Sequence, residues 1–385
     1  MSQFAPPSSE AKAASDALIK TIQHCIEQND GWISFAQYMN MALYTPQYGY
    51  YTGGSYKIGA QGDFITAPTL STLFSHTLSK QVAQILPHTQ GNIYEFGAGT
   101  GALALGIMQK LTQANIDFDC YYIIEVSAQL AQRQKALVSQ HAPELLHKLV
   151  HLSALPEEFN GVIIGNEVLD AMPCEQIIWN KDCIKQQGVT YNQQEGFELD
   201  ARPISDPNIL KAAQVLSINH FPYQSELHLA QQAFIGTLAQ KLTKGMMLFI
   251  DYGFDEQQYY IPERNMGTLI GHYQHHTIHD PFFLPGLCDL TCHINFTAMA
   301  QEAIDQKLDL LGYTTQAHFL LNLGITELLN QVGEPQSQAY IKEASACQTL
   351  LAQHEMGELF KVIAFGKNID EELLGFTHGD LCHKL

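Results

Sequence analysis

The sequence predicts an α/β fold in which short buried strands alternate with helices. Between positions 91 and 173, apolar runs that suit strands are followed by apolar residues at helical spacing, and this alternation is typical of a parallel sheet. The clearest unit runs from Asn92 to Leu103, where an apolar run enters a glycine-rich turn and a helical pattern leaves it. Two further runs, at 120–124 and 161–165, also end in polar residues. Because ligands bind beyond the carboxyl ends of parallel strands, these polar residues are expected on one rim.

Gly97, Gly99 and Gly101 form the glycine-rich turn, which is suited to binding a ligand. Glycine allows positive φ and leaves no Cβ in a ligand's way, and free N–H groups at a helix start can face polar atoms. The turn fits both the dinucleotide pattern G-x-G-x-x-A and the S-adenosylmethionine pattern E-x-G-x-G-x-G. Glu95 could reach a cationic amino-acid group, and Glu125 follows the next strand, where an acid grips two ribose hydroxyls. Both acids could instead merely end buried strands. A nucleoside-binding α/β domain is predicted.

Composition places the chain among intracellular proteins. With 20 basic and 39 acidic side chains, the formal net charge of −19 argues against nucleic acid as a partner, because phosphate contact favours clustered Lys and Arg. The eight cysteines form no C-x-x-C pair, which suits reduced thiols. No apolar stretch approaches the roughly 18 residues that span a membrane, and no signal peptide is recognisable. We therefore expect a cytoplasmic protein with no membrane insertion.

The N-terminal part is predicted to comprise a disordered end at 1–9 and a helical region at 10–90. Apolar residues at helical spacing predict three helices, at 10–28, 34–43 and 70–86. Before the third helix lies a loop dense in glycine and aromatic residues, and such loops usually cover something. Asp63 and Thr66 in this loop are expected to close over a bound cofactor, although turn chemistry at a helix start would explain them equally well.

The remaining segments divide between a core, two insertions and a tail. The predicted divisions are a core at 91–173, 243–253 and 312–367, a β-rich insertion plus a core helix at 174–242, a capping insertion plus a helix at 254–311, and a disordered tail at 368–385. The helix of the second insertion is expected at about 296–311.

The second insertion contains five histidines, of which four lie close together in the sequence: His272, His275, His276 and His279. A metal site is one interpretation, but the spacing matches no familiar ligand set, and Asp280 is the carboxylate that accompanies them. We expect a polar pocket wall or a surface loop, and no metal.

Taken in order, the polar segments resemble the MidA-like family of class I S-adenosylmethionine-dependent methyltransferases. The resemblance covers about 30–366 and rests on the ordered motifs Gly62–Pro68, Glu95–Gly101, Glu125–Ser127, Asn166–Pro173, Asp251–Gly253, Gly267–Leu269 with His276, Pro285–Thr291 and Met356–Ala364. It implies S-adenosylmethionine as cofactor and a Rossmann-like, mostly parallel sheet of seven strands with helices on both faces. An N-terminal helical segment and α+β insertions would cap the cleft.

The resemblance also indicates which molecule receives the methyl group, called here the acceptor. The family includes a mitochondrial complex I assembly factor that modifies arginine in a complex I subunit, so a protein substrate, and in particular a respiratory-complex subunit, is implied as partner. Many members have G-P-G-R-G where this chain has Gly97-Ala98-Gly99-Thr100-Gly101. Cofactor binding survives this change because the glycines remain, whereas a substrate role for the missing Arg does not.

Five polar side chains are candidates for the chemistry. Methyl transfer from a sulfonium needs the acceptor lone pair in line with the methyl–sulfur bond, and a guanidinium acceptor also needs carboxylates that bind and orient it. Glu167 and Asp170, three apart at a strand-to-helix edge, are expected to hold the acceptor together with Asn166. They could instead be helix N-terminal acids favoured by the helix dipole. Asp289 and His276 are second candidates, as a carboxylate and a proton acceptor from the capping insertion.

We therefore expect a methyltransferase that acts on a protein side chain, with arginine favoured. Two carboxylates suit a planar cation better than a phenol or a nucleobase. Two other classes stay open at this point. One is an NAD-dependent oxidoreductase, which only the G-x-G-x-x-A match favours, and the other is a non-catalytic assembly or scaffolding protein that keeps a methyltransferase fold.

Overall fold

The computed structural model describes residues 6–53 and 66–385. In chain order the strands are β1 (Ile33–Ser34), β2 (Ile93–Phe96), β3 (Tyr121–Ile124), β4 (Leu149–Leu152), β5 (Phe159–Asn166), β6 (Glu175–Trp179), β7 (Ile184–Asn192), β8 (Gly196–Pro203), β9 (Tyr223–Leu227), β10 (Leu242–Phe254), β11 (Ile270–Tyr273), β12 (His276–Ile278), β13 (Asp289–Thr291), β14 (Ile294–Asn295), β15 (Asp309–Thr315) and β16 (Phe360–Lys367). The helices are α1 (Ser9–Gln28), α2 (Phe35–Tyr44), α3 (Ala67–Leu70), α4 (Thr72–Ile85), α5 (Ala102–Gln113), α6 (Ala128–His141), α7 (Pro207–Val215), α8 (Leu229–Lys241), α9 (Glu256–Tyr259), α10 (Phe296–Asp305), α11 (Gln316–Asn322), α12 (Ile325–Asn330), α13 (Gln338–Leu351) and α14 (Met356–Leu359).

The main sheet has the strand order β15-β16-β10-β5-β2-β3-β4, and the short strand β14 pairs with the end of β10. Strands β10, β5, β2, β3 and β4 run parallel, whereas β16 is antiparallel to both of its neighbours. The predicted Rossmann-like sheet of seven mostly parallel strands is confirmed, with β14 as a two-residue addition. The carboxyl ends of β2, β3, β5 and β10 therefore share one rim.

Helices cover both faces of this sheet with apolar side chains. On one face, Leu78 of α4 and Ile107 of α5 join Ile164 of β5 in the largest core. On the other face, Leu238 of α8 and Met299 of α10 belong to a second core. Each fully buried side chain of this kind stabilises the fold by about 1.5–3 kcal/mol relative to exposure. This packing holds the strand ends of the rim in fixed positions.

Two smaller antiparallel sheets lie outside the core. The first has the order β1-β7-β6-β9 with β8 beside β7, and it is formed mainly by the predicted β-rich insertion. The second, β12-β11-β13, lies in the predicted capping insertion at 254–311. Helices α1 and α2 pack on both insertions, since Leu18, Tyr38, Val189 and Leu290 share one core.

The predicted helix at 296–311 ends early. Helix α10 stops at Asp305, and Lys307 has a positive φ of 65°, which a helix does not tolerate. Strand β15 then begins at Asp309, before the predicted core boundary at 312. The apolar run in β15 suits a buried strand as well as a helix, so its periodicity alone misled the prediction.

The C-terminal segment also differs from the sequence-based expectation. The expected disordered tail at 368–385 is packed, because Ile369, Leu373 and Phe376 are buried in the largest core. Tyr313 of β15 donates its backbone N–H to Asp380 Oδ1 and accepts a hydrogen bond from the Leu381 N–H. The tail thus covers the edge strand of the main sheet, and such coverage protects unpaired backbone groups. At the other terminus, positions 1–5 of the expected disordered end lie outside the described residues, and α1 already begins at Ser9.

Candidate active site

The glycine turn between β2 and α5 has the conformation for which glycine is needed. Gly97, Gly99 and Gly101 have φ values of 62°, 51° and 84°. A Cβ on Gly97 would approach Val168 Cγ2 to 2.9 Å, and one on Gly101 would lie 3.1 Å from Gln134 Cγ. Larger side chains are therefore excluded by backbone conformation and by space. Gly101, the third glycine of the turn, is the N-cap residue of α5.

A cavity of about 350 Å³ lies over the rim of the main sheet. One part, which we call the cofactor half, is lined by Gly97, Gly99, Glu95 and Glu125. The other part, the acceptor half, is lined by Asn166, Glu167, Asp170 and Asp289 and by three tyrosines, Tyr44, Tyr51 and Tyr252. Thr66 also lines the cavity, and the predicted residue Asp63 lies outside the described residues. The structure thus brings together predicted residues from the ends of three strands, β2, β3 and β5, and two from outside the main sheet, Thr66 and Asp289.

In the cofactor half, both acids receive hydrogen bonds from the protein itself. The Tyr121 hydroxyl donates to Glu95 Oε2 at 2.7 Å, and burial nevertheless raises the pKa of Glu95 to about 8. The Ser127 N–H donates to Glu125 Oε1 at 2.9 Å, and Gln134 Nε2 donates to Glu125 Oε2 at 3.0 Å. Gln134 Nε2 also donates to the Gly99 carbonyl at 3.0 Å. Gln134 therefore links Glu125, the acid expected to bind the ribose, to the glycine turn.

In the acceptor half, Glu167 follows β5 in a strained conformation. Its φ is 54°, which is uncommon for a residue with a side chain; such conformations occur in tight turns and cluster at functional sites. Asn166 Nδ2 donates to Glu167 Oε1 at 3.0 Å, and the backbone of Ala67 also hydrogen-bonds to the carboxylate. Burial, and then the neighbouring charge of Asp170, raise the pKa of Glu167 to about 8. A cation in the cavity would reverse this rise, because an opposite charge favours the carboxylate.

Asp170 and Asp289 each accept a hydrogen bond from a tyrosine hydroxyl. Tyr252 donates to Asp170 Oδ2 at 2.7 Å, and Tyr51 donates to Asp289 Oδ2 at 2.9 Å. Burial raises the pKa of Asp170 to about 6, while the Tyr252 hydroxyl acts in the opposite direction. The Tyr44 ring stacks on Tyr51 with ring centroids 5.5 Å apart. Stacked aromatic faces beside carboxylates provide a suitable wall for a planar cation.

His276, one of the predicted catalytic residues, does not lie in this cavity. It belongs to the hairpin β11–β12, where it pairs with Tyr273 across a turn formed by Gln274 and His275. Tyr273 is buried and His276 is exposed. The turn residues both have positive φ, of 48° and 63°, as a tight two-residue reversal requires. The prediction of a catalytic His276 is therefore corrected.

Several residues that line or support the cavity were not among the predicted site residues. Tyr51 belongs to the aromatic and glycine-rich segment that was expected to cover something, and Asp251 and Tyr252 belong to the motif Asp251–Gly253. These signals indicated segments rather than individual side chains. Gln134 is fully buried in α6, and its surroundings in the sequence offer no sign of its role.

In the described part of the chain, no group of three or more His, Cys, Asp or Glu side chains is placed so that it could hold a metal ion. None of the helices described is long and apolar enough to cross a membrane.

The fold and the cavity define an S-adenosylmethionine-dependent methyltransferase. The positive-φ turn and the acids after β2 and β3 fit this cofactor, which supplies a methyl group bound to a sulfonium sulfur. A family model described as S-adenosyl-L-methionine-dependent methyltransferase matches residues 77–314, and the chain belongs to this family, the MidA-like class I methyltransferases. The cofactor prediction is thereby confirmed, and the alternative of an NAD-dependent oxidoreductase is set aside.

Solved structures agree with this assignment. A protein from Burkholderia thailandensis, described as a methyl transferase and bound to S-adenosylhomocysteine, is 41% identical to the chain, with a TM-score of 0.95 and 100% of both chains covered. A second structure from the same organism, without a named ligand, is 40% identical, with a TM-score of 0.92 and the same coverage.

Curated relatives are more distant and cover most of the chain. The mitochondrial protein arginine methyltransferase NDUFAF7 of Mus musculus is 26% identical over 386 residues, which are 91% of this chain and 85% of that protein. The corresponding protein of Danio rerio is 25% identical over 366 residues, which are 86% of this chain and 82% of the relative. Because these relatives are named mitochondrial, they contradict the prediction of a cytoplasmic location. That prediction rested on composition, which does not distinguish one reducing compartment from another.

Proposed function

We propose that this methyltransferase transfers its methyl group to an arginine side chain of a protein. The observation that carries the proposal is the convergence of Glu167, Asp170 and Asp289 in the acceptor half of one cavity. Among the described residues that line this cavity, none is Lys or Arg. The acceptor half therefore favours a cationic acceptor and disfavours an anionic one.

Arginine suits this arrangement because its guanidinium is planar and offers five N–H donors, so that two carboxylates can hold it from two directions. Binding the cation lowers the pKa of Glu167 and Asp170 and keeps both ionised. The nitrogen that gains the methyl group must also lose a proton, and these carboxylates lie where they can accept it. Asn166 orients Glu167 through its hydrogen bond. The wall of Tyr44 and Tyr51 excludes water from the reacting atoms.

We assign the remaining site residues in the same way. Thr66, Glu95, Glu125 and the three glycines of the turn would bind the cofactor, with Glu125 on the ribose. The insertions 174–242 and 254–311 would then form the surface on which a protein substrate docks. The names of the mouse and zebrafish relatives support a protein arginine substrate. The resemblance to a family with a complex I assembly factor favours a respiratory-complex subunit as that substrate.

The proposal is tested by following the methyl group. Purified enzyme is incubated with cell lysate and S-adenosylmethionine that carries a tritiated methyl group, and labelled proteins are hydrolysed to amino acids. We expect the label to be recovered as methylated arginine, and to be absent when Glu167→Gln enzyme is used. Recovery of the label in small molecules, or in a different amino acid, would contradict the proposal. The labelled protein can then be identified and supplied as a purified acceptor.

A further inference from the structure

Close to its carboxyl end, beneath the acceptor half, strand β10 carries two adjacent polar residues, Asp251 and Tyr252. We propose that these two are positioning residues, which hold the Asp170 carboxylate in the orientation that binds the acceptor. Asp251 would fix the main chain of Asp170, and Tyr252 would fix its side chain. The inference rests on the proposed function, in which Asp170 contacts the acceptor.

Asp251 holds the turn that follows β5. Its side chain is 1% exposed, and Oδ2 accepts hydrogen bonds from the backbone N–H groups of Val168, Leu169 and Asp170 at 3.2, 2.9 and 3.2 Å. One oxygen thus satisfies three consecutive donors that have no partner in a strand. The turn begins at Glu167, whose φ is positive and whose conformation must be maintained by its surroundings. Asp251 is well placed to maintain it.

Tyr252 fixes the side chain of Asp170. Its hydroxyl donates to Oδ2 at 2.7 Å, and its ring packs edge-on against His293 and Phe360, with centroids 5.1 and 5.4 Å away. Burial, together with the charge of Asp170, raises the pKa of Tyr252 well above its ordinary value, so the hydroxyl remains a donor. The second oxygen of Asp170, Oδ1, is buried and receives no hydrogen bond of ordinary geometry from the described residues. Since Asp170 lines the cavity, Oδ1 is the oxygen left for a donor on a ligand.

A positioning role for Tyr252 can be distinguished from a purely structural role, because only the positioning role predicts that loss of the hydroxyl changes the pKa of Asp170. The groups that face Asp170 are the Tyr252 hydroxyl, the Asp251 and Glu167 carboxylates, the Cys292 thiol, and, across the cavity, Asp289 with Tyr44 and Tyr51. Of these, Tyr252 is the side chain that donates a hydrogen bond to Asp170, and this bond lowers the pKa of the carboxyl. Removing the hydroxyl therefore raises the pKa of Asp170, and ionised Asp170 forms only at higher pH.

The experiment compares Tyr252→Phe with Tyr313→Phe. Tyr313 is a matched control, because its hydroxyl is also buried, has no hydrogen-bond partner among the described residues and does not line the cavity. Methyl transfer to the protein fraction of a lysate is measured from pH 5 to 9, and binding of S-adenosylhomocysteine is measured by calorimetry. For Tyr252→Phe we expect methyl transfer at neutral pH to fall about tenfold, as for loss of one hydrogen bond to a charged group. We also expect the acidic limb of the pH profile, where kcat/KM falls as the pH is lowered, to move to higher pH. Affinity for S-adenosylhomocysteine should stay within about twofold, and Tyr313→Phe should resemble the wild type.

Asp251 is tested through a conservative pair. Asp251→Asn retains an acceptor oxygen for the three N–H groups but loses the oxygen that accepts from the Tyr252 N–H, so it should keep more transfer activity than Asp251→Ala, which should lose it. Thermal unfolding and S-adenosylhomocysteine binding show whether Asp251→Ala still folds. If it does not fold, the Tyr252→Phe variant decides whether the proposed positioning role holds.

A third variant separates this inference from the proposed function. If Asp170→Asn keeps full transfer, the proposed acceptor role of Asp170 fails. A different result is that Asp170→Asn loses methyl transfer while Tyr252→Phe keeps the wild-type transfer rate and the wild-type acidic limb of the pH profile. In that case only the positioning role of Tyr252 is overturned. When both roles hold, adding Tyr252→Phe to Asp170→Asn should cause little further loss.

Discussion

The cofactor half and the acceptor half of the cavity are assembled from different parts of the chain. The cofactor half draws its turn and its two acids from β2 and β3, which are consecutive strands and direct neighbours in the sheet. The acceptor half combines Glu167 and Asp170 after β5, Tyr252 of β10, Asp289 of β13, and Tyr51 from the N-terminal region. A short segment therefore specifies the first half, whereas the second exists only when distant segments are packed together.

The halves also differ in how their polar atoms are satisfied. In the cofactor half, Glu95 and Glu125 already accept hydrogen bonds from Tyr121, Ser127 and Gln134. In the acceptor half, Asp170 Oδ1 and Asn166 Oδ1 are buried without a hydrogen bond of ordinary geometry from the described residues. The first half is thus organised before the ligand arrives, and the second holds acceptor oxygens that await a donor. This difference leads to separable effects on binding and on transfer.

The largest expected effect comes from a change in the cofactor half. Gly97→Val should weaken S-adenosylhomocysteine binding at least about 100-fold, or about 2.7 kcal/mol, because its side chain would meet Val168 and the ligand. Transfer should be lost with it. Gly196→Val is the matched control, since Gly196 has a φ of 88°, has nothing within 4 Å of an added Cβ and does not line the cavity. Binding of S-adenosylhomocysteine is measured by calorimetry. If both variants lose the same affinity, the loss is caused by backbone strain and not by the contact with the ligand.

The acceptor half should control how transfer depends on pH. The guanidinium remains charged throughout, whereas Asp170 and Glu167, with pKa values of about 6 and about 8, lose their charge as the pH falls. We expect kcat/KM for the acceptor to rise about tenfold per pH unit between 6 and 8 and to fall more steeply below 6, towards about 100-fold per unit, because both acids are then protonated. Initial rates at saturating cofactor provide the measurement. A flat profile over this range would show that these acids do not need to ionise.

A smaller effect is expected for the tyrosine of the N-terminal region. Tyr51→Phe removes the hydrogen bond to Asp289 but keeps the ring that stacks on Tyr44. We expect a three- to tenfold loss of transfer, the range for one hydrogen bond of about 1 kcal/mol, with unchanged S-adenosylhomocysteine binding. An equal loss of binding and transfer would place Tyr51 in the cofactor half instead.

The smallest expected effect is on stability. Because the folded-state pKa of Glu167 is raised to about 8 from 4.5, folding is favoured while the carboxyl is protonated and becomes less favourable as the pH rises from 4.5 through 8. Glu167→Gln removes this cost, so its melting temperature should exceed that of the wild type by a few degrees at pH 8 and match it near pH 4.5. Exposed Glu157→Gln is the control. A difference that does not vary with pH would contradict the assigned burial of the charge.

The same contrast explains what could be predicted from the sequence. The glycine turn and Glu125 were predictable because their conformation and neighbours are fixed by a few consecutive residues and by the alternation of strands and helices. Asp170 and Glu167 were predictable as a strand end, but their tyrosine partners were not, because Tyr252 and Tyr51 approach them only in the packed fold. His276 was misassigned since nothing in its local sequence indicates which side of the hairpin faces solvent. Strand β15 and the packed tail were missed because a short apolar run does not show which surface will bury it.

The central claim is that Glu167 and Asp170 act on the acceptor and not on the cofactor. It is tested most directly by replacing them singly with Gln and Asn, which retain size but remove charge. For each variant, S-adenosylhomocysteine affinity and methyl transfer to protein are measured on the same preparation. We predict that affinity stays within about twofold and that transfer falls at least roughly 100-fold, the scale of a positioned acid–base or orienting group. Undiminished transfer in both variants, or a loss of cofactor affinity that matches the loss of transfer, would contradict the claim.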